Sequence, residues 1–166
     1  MRVADMEELR HTLVRNGVLT SASIEVTRRC NQRCVHCLRT LDGDDGLSYE
    51  EICGVLGQLQ ALNCLTVTFT GGEPFARPDL LPIVREAWRR RLAVVILTNG
   101  TLITPAVARE LRALHVQELQ ISLYAAEPGI HDRVTTVEGS HGRTMHGIRV
   151  AREQGLRVRV AVPLLG

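Results

Sequence analysis

Short apolar runs rich in β-branched residues alternate with longer amphipathic stretches along almost the whole chain. Five of the runs predict strands, over residues 22–27, 65–70, 93–98, 118–123 and 157–163. The middle ones are nearly continuous in Val, Ile, Leu and Thr, the pattern of parallel strands covered on both faces. Helices are expected between them. Ser48 with Glu51 makes a capping box ahead of Ile52-Cys53-Gly54-Val55-Leu56, Asp79 stands where it would cap a helix over 80–91, and Thr104-Pro105 supplies a cap followed by proline at the first helical position. A last helix, 141–154, stops at Gly155. Strand–helix units repeated with no linker between them predict one α/β domain, residues 23–166, behind a polar helical lead-in over residues 1–22. The polar stretch 125–140 reads equally as a plain connection or as a loop that closes over a ligand.

The residues that do not fit a packing role collect where each predicted strand ends. Cys30 follows the first strand, Thr70-Gly71-Gly72-Glu73-Pro74 the second, Thr98-Asn99-Gly100-Thr101 the third, Ser122-Leu123-Tyr124 the fourth and Val162-Pro163-Leu164 the fifth. In parallel βα barrels active sites are assembled on that C-terminal rim. Each run alone also reads as turn punctuation, with glycine for positive φ and proline to stop a strand; five on one rim point to a site.

The run Arg29-Cys30-Asn31-Gln32-Arg33-Cys34-Val35-His36-Cys37 carries the candidate chemistry. Cluster iron is held by cysteine thiolates, and three cysteines without a nearby fourth leave one iron of a four-iron cube open to a ligand. A structural zinc site closed by His36 is the alternative, although zinc modules usually bring two separated ligand pairs. The chain has 5 cysteines, and Cys53 and Cys64 lie among apolar residues as small buried hydrophobes. The start of the chain is polar rather than leader-like, so a reducing, cytoplasmic setting is expected and disulfides are not.

Composition adds only bounds. With 45% hydrophobic residues, 23% charged residues and a formal charge of +2 over 166 residues, nothing argues for nucleic acid, and no apolar stretch approaches the ~20 residues of a membrane span. The basic triplet Arg89-Arg90-Arg91 closes a predicted helix, where cations complement the helix dipole. On the rim, Gly71-Gly72-Glu73-Pro74 offers close backbone approach and a carboxylate suited to an ammonium group. Asn99 and Ser122 suit hydroxyls or a carboxylate, and Arg133 suits an anion. An open iron, an ammonium site and a polar rim describe a pocket for an amino acid joined to a nucleoside.

These residues resemble a known family, the radical S-adenosylmethionine (radical SAM) enzymes. Cys30-x3-Cys34-x2-Cys37 is similar to that family's cluster motif, Gly71-Gly72-Glu73-Pro74 to its methionine-amino loop, and Ser122-Leu123-Tyr124 to its ribose-contacting strand end. His131-Asp132-Arg133-Val134-Thr135, Gly139-Ser140, Gly147-Ile148 and Gly155-Leu156-Arg157-Val158 further resemble the SPASM-type subgroup that matures peptides or small cofactors. The resemblance implies a partial parallel (β/α) barrel of the radical SAM type. It implies a [4Fe–4S] cluster on Cys30, Cys34 and Cys37 that reductively cleaves SAM to a 5′-deoxyadenosyl radical for hydrogen abstraction. It places the SAM amino group on Glu73, the ribose on Ser122, the carboxylate on Arg133 and the adenine between His36 and Val162 to Leu164. A reducing donor of the flavodoxin or ferredoxin type and a peptide or small-molecule substrate follow from the same resemblance.

The family's barrel usually has six βα units, whereas about five are predicted here, so a sixth strand is expected from elsewhere, a partner chain included, or not at all. Two cysteines beyond the motif are too few for an auxiliary four-cysteine cluster within this chain. A module that holds a cluster or transfers electrons without cleaving SAM is the alternative reading; the glycine loop speaks for the enzyme, since a carrier needs no amino-group site.

Overall fold

The computed structural model describes residues 8, 11–13, 15–38 and 43–162; the expected lead-in over residues 1–22 is described only in part, and Pro163 and Leu164 lie outside the described residues. Within that range all five predicted strands form: β1 (Ser21–Thr27), β2 (Thr66–Gly71), β3 (Ala93–Thr98), β4 (Glu118–Ser122) and β5 (Val158–Ala161). They pair in parallel in chain order, giving one open five-stranded sheet, β1-β2-β3-β4-β5. Five helices occupy the connections: α1 (Tyr49–Ala61), α2 (Leu80–Arg89), α3 (Pro105–Ala113), α4 (Pro128–Thr135) and α5 (Ser140–Glu153). The partial βα barrel expected of the sequence is the architecture observed.

Burial along the strands alternates, unlike the two-sided burial that their apolar runs suggested. In β3, Val94, Ile96 and Thr98 are buried while Ala93, Val95 and Leu97 are only half-buried. The buried face carries Ile24, Val26, Val67, Phe69, Leu119 and Ile121 and joins the helix residues Ile52, Leu56, Ile83, Val84, Ala108, Leu111 and Val150 in one core. The other face carries Ser23, Glu25, Thr68, Thr70, Leu97, Gln120 and Ser122, in register across the sheet, and lines the lumen of the open barrel.

Local chemistry explains the element ends. The capping box forms as expected, with Glu51 N donating to Ser48 Oγ (3.2 Å) and Ser48 N donating to Glu51 Oε2 (2.8 Å). Thr104 Oγ1 accepts from Val107 N at 3.2 Å, one residue after which Pro105 opens α3. Asp79 makes no capping bond. Its carboxylate takes both Nε and an Nη of Arg77, at 2.6 and 3.0 Å, and the buried Arg77 pins Val26 O and Leu47 O at 2.6 and 2.7 Å. Helix α2 ends at Arg89, short of 91, because Arg91 turns to φ 61°.

The α-helix absent from the sequence reading is α4, inside the stretch read as a connection or a closing loop. Pro128 sits in its first turn and Thr136, at φ 58°, ends it. The helix buries only His131 and Thr135, so it has no apolar stripe for a periodicity argument to find. Asp132 then joins it to α5 by accepting from Gly139 N (2.7 Å), His141 N (2.8 Å) and Ser140 Oγ (2.9 Å).

Candidate active site

The cysteine run leaves β1 and is gripped from two sides. On one, Gly72 N donates to Thr27 O and Glu73 N to Arg29 O, both at 2.8 Å. The approach is so close that a Cβ on Gly71 would lie 2.2 Å from Thr27 O, and one on Gly72 2.2 Å from Arg29 O and 3.1 Å from Cys30 Cβ. The two glycines are therefore required by the cysteine loop itself, a packing reason beyond the ligand approach expected of them. On the other side Arg33 N and Val35 N donate to Thr135 O and Val134 O (3.2 and 2.9 Å), and Thr136 Oγ1 donates to Arg33 O at 3.0 Å. The stretch that read equally as a plain connection or as a closing loop carries the shelf on which the cysteine run rests.

A cleft of about 510 Å³ opens between this run and the strand ends, lined by Cys30, Cys34, Cys37, His36, Gly71, Gly72, Asn99 and Ser122, all expected site residues. Gln32, Thr70 and Tyr124, from within the quoted runs but given no role there, join them, as do Glu25 and Gln120 from the strands. Tyr124 ends the Ser122-Leu123-Tyr124 run: its hydroxyl lies 3.7 Å from Cys34 Sγ and its ring meets the edge of His36 at 4.8 Å. Arg133 is exposed on α4 and lies outside the lining, as does Val162 at 53% exposure, so neither reaches the place given to it. Pro74 is buried at the start of a 3₁₀ turn.

Glu73 also departs from expectation. It is 0% exposed and absent from the lining. Its carboxylate accepts from Thr98 Oγ1 (2.7 Å), Asn99 N (2.7 Å) and Phe75 N (3.1 Å). Thr98 is buried yet lines the cleft beside Asn99, so the carboxylate sits directly beneath the rim, enclosed by the residues that bond it. Burial pushes the Glu73 carboxyl up against the pull of these three donors. What it does is hold the Asn99 loop. Asn99 in turn donates from Nδ2 to Asn31 Oδ1 (2.8 Å), and Asn31 Nδ2 donates to Thr101 Oγ1 (2.8 Å), tying the third strand end to the residue after Cys30.

Burial raises the thiols of Cys30 and Cys34; the Gln32 N–H to Cys30 Sγ (3.4 Å) and the Tyr124 hydroxyl at Cys34 counter it, while the neighbouring thiols add mutual repulsion. Among the described residues no three His, Cys, Asp or Glu side chains are drawn together tightly enough for one metal ion. Ligands of a single zinc at ~2.3 Å lie within roughly 4 Å of each other, whereas a cube that takes one thiolate per iron spreads them. Three thiols around one cleft, with a buried Gln32 amide nitrogen that has no partner among the described residues, fit a multi-iron cluster better than the zinc alternative.

The sequence profile of the radical SAM superfamily matches residues 24–166. The chain belongs to this superfamily. Among its curated relatives, the AdoMet-dependent heme synthase of Methanosarcina barkeri is 36% identical over 132 residues, covering 78% of this chain and 38% of that protein. The PqqA peptide cyclase of Bradyrhizobium diazoefficiens is 30% identical over 158 residues, covering 93% and 42%. The chain thus spans about two fifths of the length of these relatives. Among solved structures, Streptococcus suis SuiB bound to S-adenosylmethionine superposes with a TM-score of 0.74 at 17% identity, over 95% of this chain and 36% of that one, which supports the fold. Radical SAM proteins use a [4Fe–4S] cluster and SAM, and the cleft carries the three cysteines that the superfamily motif requires. Among the described residues no helix is long and apolar enough to cross a membrane.

Proposed function

We propose that this chain is the cluster- and SAM-binding core of a radical SAM enzyme acting in peptide or cofactor maturation. The observation that carries the reading is the convergence of Cys30, Cys34, Cys37, the Gly71-Gly72 backbone, Asn99 and Ser122 on one cleft, from four segments of sequence. When bound, the cluster would supply one electron to SAM and yield a 5′-deoxyadenosyl radical able to abstract hydrogen from an unactivated carbon.

The chain's own residues have distinct parts. Cys30, Cys34 and Cys37 would each hold one iron and leave the fourth for SAM. The Gly71-Gly72 backbone, which lines the cleft, would receive an ammonium group, with the Glu73 carboxylate enclosed just beneath it. Ser122 and the Asn99 amide flank the position of the ribose hydroxyls, and the rings of His36 and Tyr124 offer an apolar edge to the adenine. The polar lumen face beyond them, Ser23, Glu25, Thr68 and Gln120, suits a polar substrate such as a peptide, in keeping with relatives named for peptide cyclisation. A flavodoxin- or ferredoxin-type donor in the cytoplasm would deliver the electron, and Cys37, the exposed one of the three cysteines, would hold its iron on the side open to such a donor.

Anaerobic reconstitution with iron and sulfide, followed by reduction and electron paramagnetic resonance with and without SAM, tests the reading. A cluster signal that changes on SAM addition, with 5′-deoxyadenosine formed, is expected. A cluster indifferent to SAM refutes SAM cleavage in favour of a cluster carrier, and no cluster refutes both.

A further inference from the structure

Gln32 lies between two of the motif cysteines, yet its side chain turns inward and is 3% exposed. Its backbone N–H donates to Cys30 Sγ at 3.4 Å, and its side-chain oxygen stands 3.7 Å from Cys34 Sγ. The other end of the same amide, Nε2, is buried with no partner among the described residues. Burying an amide nitrogen without a partner is costly, and an apolar side chain of similar size would fill the space without that cost. A buried polar end that faces a cleft calls for a partner that arrives later.

The present contact also has a defined lifetime. A thiol at Cys34 can donate to Oε1, but iron ligation removes its proton, and the sulfur can then only accept. Oε1 would face lone pairs. The terminal torsion of glutamine is soft and roughly two-fold, and its oxygen and nitrogen ends are nearly isosteric. A half-turn replaces the repelled oxygen with Nε2, which finds its acceptor in the sulfur, and moves Oε1 into the place that Nε2 held. The Tyr124 hydroxyl, 3.7 Å from the same sulfur, can donate beside it.

Resting on the cluster reading above, we infer that the Gln32 side-chain amide donates a hydrogen bond to the iron-bound Cys34 sulfur and thereby raises the reduction potential of the cluster. Donors to cluster sulfurs favour the more negative, reduced state. Gln32 is a positioning and tuning residue, not a ligand.

The test uses the anaerobically reconstituted chain, its Gln32→Leu and Gln32→Met variants, and protein grown on glutamine labelled with ¹⁵N at the side-chain amide. The inference expects a ¹⁵N hyperfine coupling in the reduced cluster of the labelled protein that is lost in Gln32→Leu. It also expects the variant's midpoint to fall by about tenfold in the reduction equilibrium, 59 mV for a one-electron couple. An unsubstituted labelled chain that shows no coupling overturns the inference even where a variant fails to fold, and loss of the coupling in either variant assigns it to Gln32 rather than to Gln120 across the cleft. A cluster that forms normally, shows no amide coupling and keeps its midpoint in both variants overturns the inference alone. A chain that takes up no cluster overturns the parent reading and the inference with it.

Discussion

Replacing Glu73 by glutamine separates two roles for this carboxylate by the sign of the outcome. The substitution is isosteric and opens no cavity, so its effect is electrostatic. The carboxylate offers two acceptor oxygens to three donors at 2.7, 2.7 and 3.1 Å. A glutamine keeps one oxygen, best used by Thr98 Oγ1 and Phe75 N, and turns its NH₂ against the Asn99 N–H. One charge-assisted bond is lost, ~1.5–3 kcal/mol, and a buried N–H is left without an acceptor, ~1–3 kcal/mol. Relief of the buried charge offsets part, so the net destabilisation is about 2–4 kcal/mol. With a urea slope of about 2 kcal/mol/M the midpoint falls by roughly 1–2 M. The assay is urea unfolding of the cluster-free chain followed by circular dichroism. If the carboxylate served an incoming ammonium instead, removing an uncompensated charge would leave this midpoint unchanged or raise it, while SAM binding alone suffered. That result refutes the reasoning. The pH dependence carries the same signature. A carboxyl raised above its ordinary 4.5 by burial favours folding fully below that pH, and the contribution is lost as pH rises through the folded value. The gap between the two proteins therefore narrows with rising pH.

Gly72→Ala should fold its sheet but lose most bound iron, because the new Cβ would meet Arg29 O at 2.2 Å and push Cys30 aside; iron analysis after reconstitution checks it. Asp132 has its carboxyl held low by the His141 N–H first and by Ser140 and Gly139 besides. Its stabilising contribution is present above the ordinary 3.8 and is lost as pH falls through the lower folded value. Asp132→Asn should accordingly unfold more easily at neutral pH and flatten the acid limb of a thermal-melt series. Cys37→Ala should abolish the intact cluster signal, whereas Cys53→Ala, in a half-buried helical position outside the cleft, should retain it.

Much of the scaffold was legible because its signals are local. Strand runs, the Ser48/Glu51 box and Thr104-Pro105 each act within a few residues, and their predicted positions hold to within a residue or two. The cysteines and the glycine pair were legible as a motif, since spacing alone places three thiols on one loop. What sequence could not give is direction. Nothing local says that Thr98 and the Asn99 N–H enclose the Glu73 carboxylate beneath the rim, or that Arg133 stays exposed on α4. Helix α4 was hidden because it is held by backbone and Asp132 hydrogen bonds rather than by an apolar stripe. Tyr124 and Gln32 were within quoted runs, but their roles depend on contacts with Cys34 across 90 residues and two residues respectively, and only the fold brings the first about. A proline at 128 following Glu127 was the one available hint of the missed helix.

The grip on the cysteine run has a consequence for when iron can enter. Arg33 O receives its hydrogen bond from Thr136, 103 residues later in the chain. At translation rates of 5–20 residues per second, the thiols leave the ribosome roughly 5–20 s before the shelf that orients them has been made. During that interval the run can have only the grip of Gly72 and Glu73, and the side held by Val134, Thr135 and Thr136 is missing. A cluster that needs both grips would thus be delivered only after the synthesis of a helix that holds none of its cysteines.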